Sequence, residues 1–296
     1  MIGTPKRNLH IGEKAAHTAF AFSASVCFLA LLVITVFLFA KGTPFLARYG
    51  FGNFLFGTKW APLAHEPSYG ILPMIVTTFA LVGLSGLSGA VIGLLAAVGL
   101  FAFVPRKLEK ACKAIIELLA GIPSVIYGLF GLAILVPFVR DYVSPNGVGY
   151  GLLTATVVLT FMILPTMVSV SYDSLKAVNP YYLQGAMALG VTRSIGVFTT
   201  VVPAARQGIL SAVVLSCGRA LGETMAVVMV IGGSPSFPTS LTQSVRTLTA
   251  NIAIGANVLT GEAKEALVCC ALVLFILSFA LNGVFAILRE RGQKHA

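Results

Sequence analysis

The sequence predicts an all-α, polytopic integral membrane protein with six transmembrane helices, and three observations carry that prediction. Of 296 residues, 57% are hydrophobic and only 10% are charged, whereas soluble domains carry roughly a quarter charged residues. Mean hydropathy is +0.93. The apolar residues also fall in runs long enough to cross a bilayer, at about 20 residues per crossing. Six or seven crossings with their loops account for the whole length and leave no room for a folded soluble domain.

Backbone amides in hydrocarbon must be hydrogen-bonded within their own segment, so each apolar run is read as a helix. The runs are Thr18 to Ala40, Ile71 to Val104, Ile115 to Phe138, Tyr150 to Tyr172, Gly208 to Gly232 and Ala263 to Leu288. The first follows Lys6, Arg7 and Lys14 in the manner of a secretory signal. Its apolar stretch exceeds the usual signal core, and Leu38-Phe39-Ala40 lacks the small residue expected three positions before a cleavage site, so it is read as an uncleaved anchor. The second run is overlong and should tilt, kink or extend past the bilayer. Pro123 and Pro165 fall inside the third and fourth runs, where each removes a helix hydrogen bond and favours a kink.

The formal charge of +10 is spread in short clusters between the apolar runs, which suits orientation better than nucleic-acid binding. The amino-terminal segment 1–17, loop 105–114, loop 173–207 and the tail 289–296 hold thirteen Lys and Arg residues. The opposite loops hold six: Lys41, Arg48, Lys59, Arg140, Arg246 and Lys264. Basic loops stay in the cytoplasm, so an even number of spans places both termini there. The outer loops 41–70, with Trp60 and Pro62, and 233–262, with Ser234-Pro235-Ser236-Phe237-Pro238, are long enough to fold back at the interface or to meet an external partner. Cys27, Cys112, Cys217, Cys269 and Cys270 show no CxxC or Cys/His metal spacing and are read as small core or lipid-facing residues.

Arg219 and Glu223 stand near the middle of the fifth run. A charge at that depth costs on the order of 2.5 to 3.5 kcal/mol on insertion scales, so the pair needs a reason. The i, i+4 spacing stacks the two on one face of a continuous helix. One reading is an aqueous path in which the Arg fork attracts an oxyanion. The other is a structural ion pair that pins helices together. Gly218 and Gly222, and Gly89, Gly93 and Ala97 in the second run, form small-residue faces that let helices approach closely.

Loop 173–207 carries a second signal. Asn179-Pro180 reads as an N-cap followed by Pro at N1. Leu183, Ala186 and Met187 make a short apolar stripe, and Gly190 ends the helix. Thr192 can cap a second helix running towards Pro203. Such a hairpin is either a knob for a cytosolic partner or a surface element lying on the bilayer. The sequence contains no GxxxxGK[ST] and no Gly-Lys dipeptide, hence no phosphate-binding loop of its own. It has no HExxH or GxSxG, and His10, His17, His65 and His295 lie outside the apolar runs, which argues against a membrane hydrolase.

Two sets of residues resemble a known family. The segment Gln184-Gly185-Ala186-Met187-Ala188-Leu189-Gly190, with Pro203 further on, resembles the EAA loop of ABC importer permeases. Gln184 stands in place of the usual Glu, Gly185 of the first Ala, Thr200 of Ile and Val202 of Leu. Tyr69-Gly70-Ile71-Leu72-Pro73, the stretch from Glu117 through Gly121-Ile122-Pro123-Ser124 to Leu132, Gly218-Arg219-Ala220-Leu221-Gly222-Glu223-Thr224-Met225-Ala226-Val227 and Arg246-Thr247-Leu248-Thr249-Ala250 are more specific. Together they are similar to the PstC family of phosphate ABC transporter permeases, across most of the chain from about Trp60 to Asn282.

The resemblance implies a type I importer permease of the MetI-like transmembrane family in a bacterial or archaeal cytoplasmic membrane. Residues 18–288 would form the permease domain, with a coupling hairpin at 179–203. Arg219 and Glu223 would line the translocation path. Gln184, Gly185, Ala186, Gly190 and Pro203 would meet the ATPase. The implied partners are a PstA-like second permease, two PstB-like ATPase subunits that bind ATP and Mg, an extracytoplasmic PstS-like phosphate-binding protein, and membrane lipid, with no nucleic acid. The chain itself would carry no catalytic residue, cofactor or metal. Alternating access would follow, with ATP-driven movement of the hairpin opening the helices around Arg219 to either side. The alternatives are a permease for another oxyanion or small solute, and a passive anion channel, which would need no coupling hairpin.

Overall fold

The computed structural model describes residues 6–293, so residues 1–5 of the amino-terminal segment and 294–296 of the tail lie outside the described residues. Helix α1, Lys6–Tyr49, runs without interruption past Gly42 and Pro44. The expected end at Ala40 is therefore corrected, and residues 41–49 belong to the helix. Packing outweighs the two poor helix formers. Phe45 is fully buried, stacks on Tyr49 and meets Phe54 and Tyr69 edge to face, while Arg48 pairs with Glu265. Helix α2, Phe51–Phe56, leads to strands β1, Trp60–Ala61, and β2, Ser68–Tyr69, which pair antiparallel with Trp60 opposite Tyr69. Helix α3, Leu72–Ala102, opens on Pro73. Its 31 residues span about 46 Å at 1.5 Å per residue, longer than the hydrocarbon core of about 30 Å, as its sequence led one to expect.

The third run is divided. Helix α4, Arg106–Ala120, is separate from the crossing, and Gly121-Ile122-Pro123 breaks the chain before α5, Ser124–Phe130. Pro123 therefore precedes the crossing helix, with φ −56° and ψ 137°, and kinks nothing. Charges at Lys107, Glu109, Lys110, Lys113 and Glu117 alternate with apolar positions and make α4 an amphipathic surface helix, while Pro123 drives Ile122 out of the helical region. The crossing is Ser124–Tyr142: α5, a π-helical turn at Gly131–Leu135, then α6, Val136–Tyr142. Helix α7, Leu152–Lys176, keeps Pro165 inside one continuous element.

A short hairpin follows, of α8, Pro180–Ala188, and α9, Arg193–Gly196, which continues through a π turn at Val197–Val201 into α10, Val202–Ala204. Both π turns end just before a Pro (Pro137 and Pro203), whose ring lacks the N–H for a regular bond and clashes with the carbonyl four residues back. A 70° bend then leads into α11, Arg206–Gly222. The expected helix from Gly208 to Gly232 is broken at Glu223-Thr224 and resumes as α12, Met225–Ile231. Loop 233–262 folds back through α13, Leu248–Gly255, before α14, Gly261–Gln293. Among the described residues, five helical segments are long and apolar enough to cross a membrane, and six when α11 is counted through its bent junction with Arg193–Ala204.

Contacts between helices give their directions. Ser88 Oγ lies 2.7 Å from Thr160 Oγ1, a Cβ on Gly89 would come 2.8 Å from Ile163, and one on Gly93 would come 2.5 Å from Met167. Residue numbers rise together, so α3 and α7 run parallel, joined along a seam of small residues. Helix α11 runs against α7, with Gly208 beside Ser174 and Ser216 beside Met167. Helix α1 runs against α14, with Gly42 beside Leu272. The described chain ends, α4 and the α8–α10 hairpin therefore share one end of the bundle, and the β-hairpin and α13 occupy the other. The core follows the same axis: one apolar cluster joins α3, α7, α11 and α12, a second joins α1, α3 and α14, and a third joins α3 and α7 to the hairpin.

The seam yields a paired prediction. Gly93→Val must displace Met167 and should destabilise the folded protein by about 1–3 kcal/mol, read as a lower thermal midpoint of the purified protein. Gly83→Ala, where no atom lies within 4 Å of the added carbon, should match or exceed the native midpoint. Equal midpoints for Gly93→Val and the native chain would remove the seam from the account.

Candidate functional site

The break after α11 is written in Gly222-Glu223-Thr224. Glu223 adopts extended backbone, φ −68° and ψ 128°, so the i, i+4 stacking expected of Arg219 and Glu223 on a continuous helix does not occur. The Glu223 carboxylate turns to the start of α12, where Oε1 accepts the Ala226 N–H at 3.1 Å and satisfies one of the donors that a helix start leaves free. The Glu223 carbonyl accepts the Thr249 hydroxyl at 3.1 Å. Thr247 caps α13 through the Ala250 N–H at 3.2 Å, and the Leu248 N–H donates to Thr78 Oγ1 on α3 at 3.1 Å. The irregular turn is thus held from two sides.

Arg219 is exposed on the last turn of α11. It lies about 20 Å along the helix from Arg206, well inside the apolar layer. Its Nη1 donates to Thr166 Oγ1 at 3.5 Å, beside Pro165, and among the described residues no salt bridge joins it to Glu223. The Tyr127 ring lies within range of its charge. Tyr127 also lines a groove of about 940 Å³ with Ile126, Phe130, Phe161, Leu164 and Pro165. An exposed guanidinium at the middle of an apolar run is costly in hydrocarbon and favours a face turned to protein or water. The arrangement offers an exposed cation with one long hydrogen bond and no salt bridge among the described residues, and, four residues on, a carboxylate that a backbone N–H holds in place.

At the other candidate site, the local signals behave as expected. Asn179 Oδ1 accepts the Tyr181 N–H at 3.0 Å, and Pro180 follows at N1. Gly190 sits at φ +85° and closes α8, with its own N–H donating to the Met187 carbonyl at 3.0 Å and the Val191 N–H to the Ala186 carbonyl at 3.3 Å, the paired bonds of a glycine C-cap. Thr192 occupies the next N-cap position but makes no side-chain cap bond. Gln184, Gly185, Gly190 and Pro203 are exposed, whereas Ala186 is half-buried and, with Leu183, faces Gly196 across the hairpin. Tyr181 at 76% and Leu189 at 87% exposure present apolar surface that the chain itself leaves uncovered.

Helix α4 is tied to the end of α7, from which the hairpin starts. The Tyr172 hydroxyl donates to Glu109, Lys176 Nζ reaches the same carboxylate at 3.1 Å, and Lys113 pairs with Asp173 at 2.8 Å. The Asp173 carboxylate raises the Lys113 pKa above the ordinary lysine value. Sequence reasoning missed Thr78, Thr166, Thr249 and Asn251 as site-building residues. A Thr ahead of an Ala/Leu-rich stretch, as at Thr247, is a readable cap signal; the others are set by contacts between distant elements.

The profile of the family of binding-protein-dependent transport system inner membrane components matches residues 89–293. A probable ABC transporter permease, YqgH of Bacillus subtilis, is 37% identical over 278 residues, covering 93% of this chain and 90% of that protein. The phosphate transport system permease PstC of Haemophilus influenzae is 34% identical over 276 residues, covering 87% of each. Among solved structures, a bacterial alginate ABC transporter bound to its periplasmic protein aligns with a TM-score of 0.65 at 17% identity, over 95% of this chain and 96% of that one. The MetNI methionine ABC transporter, in inward-facing conformations, aligns with a TM-score of 0.59 at 22% identity, over 75% and 95%.

The caps give a second prediction. Asn179→Ala and Glu223→Ala should each lower stability by about 1 kcal/mol. Glu223→Gln keeps an oxygen acceptor for the Ala226 N–H and should leave it unchanged. Thermal unfolding of the purified protein in nanodiscs reads all three, and a loss in Glu223→Gln equal to that in Glu223→Ala would show that the cap is not what Glu223 supplies.

Proposed function

This chain belongs to the family of binding-protein-dependent transport system inner membrane components, and from that premise we propose that it is the PstC-type permease of a phosphate importer. As a member it is a multi-pass membrane permease subunit of an ABC importer with the MetI-like fold. It is not an enzyme, and ATP hydrolysis belongs to a separate subunit. The phosphate assignment is carried by one observation: the exposed Arg219 at membrane depth, in a Gly-Arg-Ala-Leu-Gly-Glu-Thr segment, in a chain about a third identical to PstC permeases from several bacteria. A guanidinium fork suits a tetrahedral oxyanion bidentately, and its exposed face is open to a passage shared with a PstA-like second permease.

In this reading, residues 18–288 form the permease domain and the α8–α10 hairpin is the coupling element. Both chain ends and the hairpin face the cytoplasm, because the basic loops cluster at that end of the bundle. Gln184, Gly185, Gly190 and Pro203, with Tyr181 and Leu189, are the surface that meets a PstB-like ATPase, which holds ATP and Mg. Ala186 keeps the hairpin arms together. A PstS-like protein delivers phosphate to the opposite end, where residues 50–71 and 233–262 lie. Arg219 attracts the anion, and Glu223, anchored at the helix break, limits how tightly it is held, so that release follows the hairpin's movement. Transport of a different anion is the competing reading, favoured by the mixed substrates named for the similar structures.

Two measurements test these assignments. Reconstituted with its partners, the native protein should take up phosphate in preference to sulphate, Arg219→Gln should abolish uptake, and Arg219→Lys should restore only part of it, because an ammonium lacks the planar fork. Near-native phosphate uptake in an assembled Arg219→Met, Glu223→Leu double variant would refute the path assignment. For coupling, Leu189→Asp leaves the α8 fold intact and should allow ATP hydrolysis without matching uptake; native uptake at equal protein levels would detach the hairpin from the ATPase.

A further inference from the structure

At the end of the bundle opposite the hairpin lies a cavity of about 350 Å³, and its one charged lining residue is Arg246. The walls are otherwise mainly apolar, with Trp60, Pro62, Pro235 and Ile254 around the guanidinium and Asn251 beside it. Arg246 is half-buried. Its Nε donates to the Gly233 carbonyl at 2.6 Å and its Nη1 to Asn251 Oδ1 at 3.1 Å, both neutral acceptors. Among the described residues no carboxylate forms a salt bridge with it. Burial pulls its pKa below the ordinary arginine value, yet an arginine remains charged throughout the accessible range. The chain therefore holds a partly desolvated cation whose Nη2 makes no hydrogen bond among the described residues.

The local backbone is built to hold this side chain still. Gly232 and Gly233 take φ of +103° and +106°, and a Cβ on Gly232 would fall 2.2 Å from Ser244 Oγ. This lets the Gly233 N–H donate to the Val245 carbonyl at 2.9 Å and brings the Gly233 carbonyl to Arg246. Three residues beyond Arg246, Thr249 bonds the Glu223 carbonyl at the break next to Arg219. The two cations, neither in a salt bridge among the described residues, are thus linked through one short stretch of chain. A fixed cation against low-dielectric walls concentrates anions locally, and the unused edge of a guanidinium is shaped for an oxyanion.

We propose that the Arg246 cavity is an outer entry subsite that takes a small tetrahedral oxyanion of the phosphate class before it reaches Arg219. The proposal rests on the reading that this end faces outward and that phosphate is the cargo. A recessed cavity of this size admits a small ion with its water, and the neutral acceptors that hold Arg246 leave its charge uncompensated for an incoming anion.

The test is Asn251→Asp in the complete importer, reconstituted in proteoliposomes with the phosphate-loaded binding protein. Aspartate keeps an oxygen for Arg246 and adds the missing counter-charge, giving up only the long Asn251 Nδ2–Cys270 Sγ bond at 3.8 Å, so the anion is refused. At saturating binding protein, phosphate uptake should fall about tenfold, as expected when a focusing charge is cancelled, while the binding-protein concentration that half-maximally stimulates ATP hydrolysis stays within about twofold of native. Uptake within that same twofold margin would overturn the proposal. A parallel loss of binding-protein affinity would also overturn it, by assigning Arg246 to contact with that protein. Arg246→Gln, which keeps a donor for Gly233, is read by the same criteria should Asn251→Asp fail to assemble. Absence of phosphate uptake in the native importer, with ATP hydrolysis still stimulated by the binding protein, would sink the phosphate reading and this proposal together; native uptake with an unaffected variant would sink this proposal alone.

Discussion

Every backbone amide that enters hydrocarbon needs a hydrogen-bond partner, and the irregular stretches of this chain occur where another element supplies one. At the break between α11 and α12, the Glu223 side chain takes the Ala226 N–H and Thr249 takes the Glu223 carbonyl. The Leu248 N–H is met by Thr78. Ahead of α7, the Gly151 N–H donates to the Val230 carbonyl at 3.1 Å, and within its first turn the Leu153 N–H donates to the Leu241 carbonyl at 2.7 Å. A regular helix through Arg219 would need none of these. The chain has instead gathered α12 and α13 around the break that follows Arg219, with α13 tied in turn to α3 and the start of α7 tied to the far end of α12.

That gathering depends on the small-residue seam between α3 and α7. Gly89 and Gly93 bring α7 close enough for Ile163 and Met167 to fill the space a Cβ would occupy, and without a hydrophobic drive between helices in lipid, such close approach is what favours association. The same seam aligns the two helices along their length, so α7 carries Thr166 to Arg219 at mid-depth and Tyr172, Asp173 and Lys176 to α4 at its end. The hairpin begins a few residues later, at Asn179. Movement of the hairpin therefore bears on a rigid pair of helices rather than on an isolated loop, which is the mechanical link that an ATP-driven permease requires.

The class, the helix count and the hairpin were legible because their signals are local: long apolar runs, Asn179-Pro180 and Gly190 at the two ends of α8, and Pro203 in its second arm. The boundaries that went astray were decided by contacts. Helix α1 runs past Pro44 because Phe45 is buried among aromatic rings, and α4 separates from α5 because charges placed among apolar residues hold it at the surface. The pair Arg219 and Glu223 was found by charge alone, but its geometry was misread, since no sequence period announces a break that Thr249 and Thr78 stabilise from far along the chain. Arg246 reads in the sequence as a loop charge and as the start of a family segment; its burial, and its lack of a salt bridge among the described residues, are products of the fold.

The central claim is that the face of α11 bearing Arg219 looks onto water within the assembled importer. Gly222 lies on that face, is exposed, and has no atom within 4 Å of an added Cβ. A single cysteine placed there, in a chain with its native cysteines replaced and assembled with its partners, reports the surroundings directly. Rapid reaction with a charged, water-soluble thiol reagent, slowed by saturating substrate, is expected at position 222, while a cysteine at Phe279, 76% exposed on α14, reacts only with a lipid-soluble one. Reaction at position 222 no faster than at position 279 would place Arg219 against lipid or sealed protein and contradict the account.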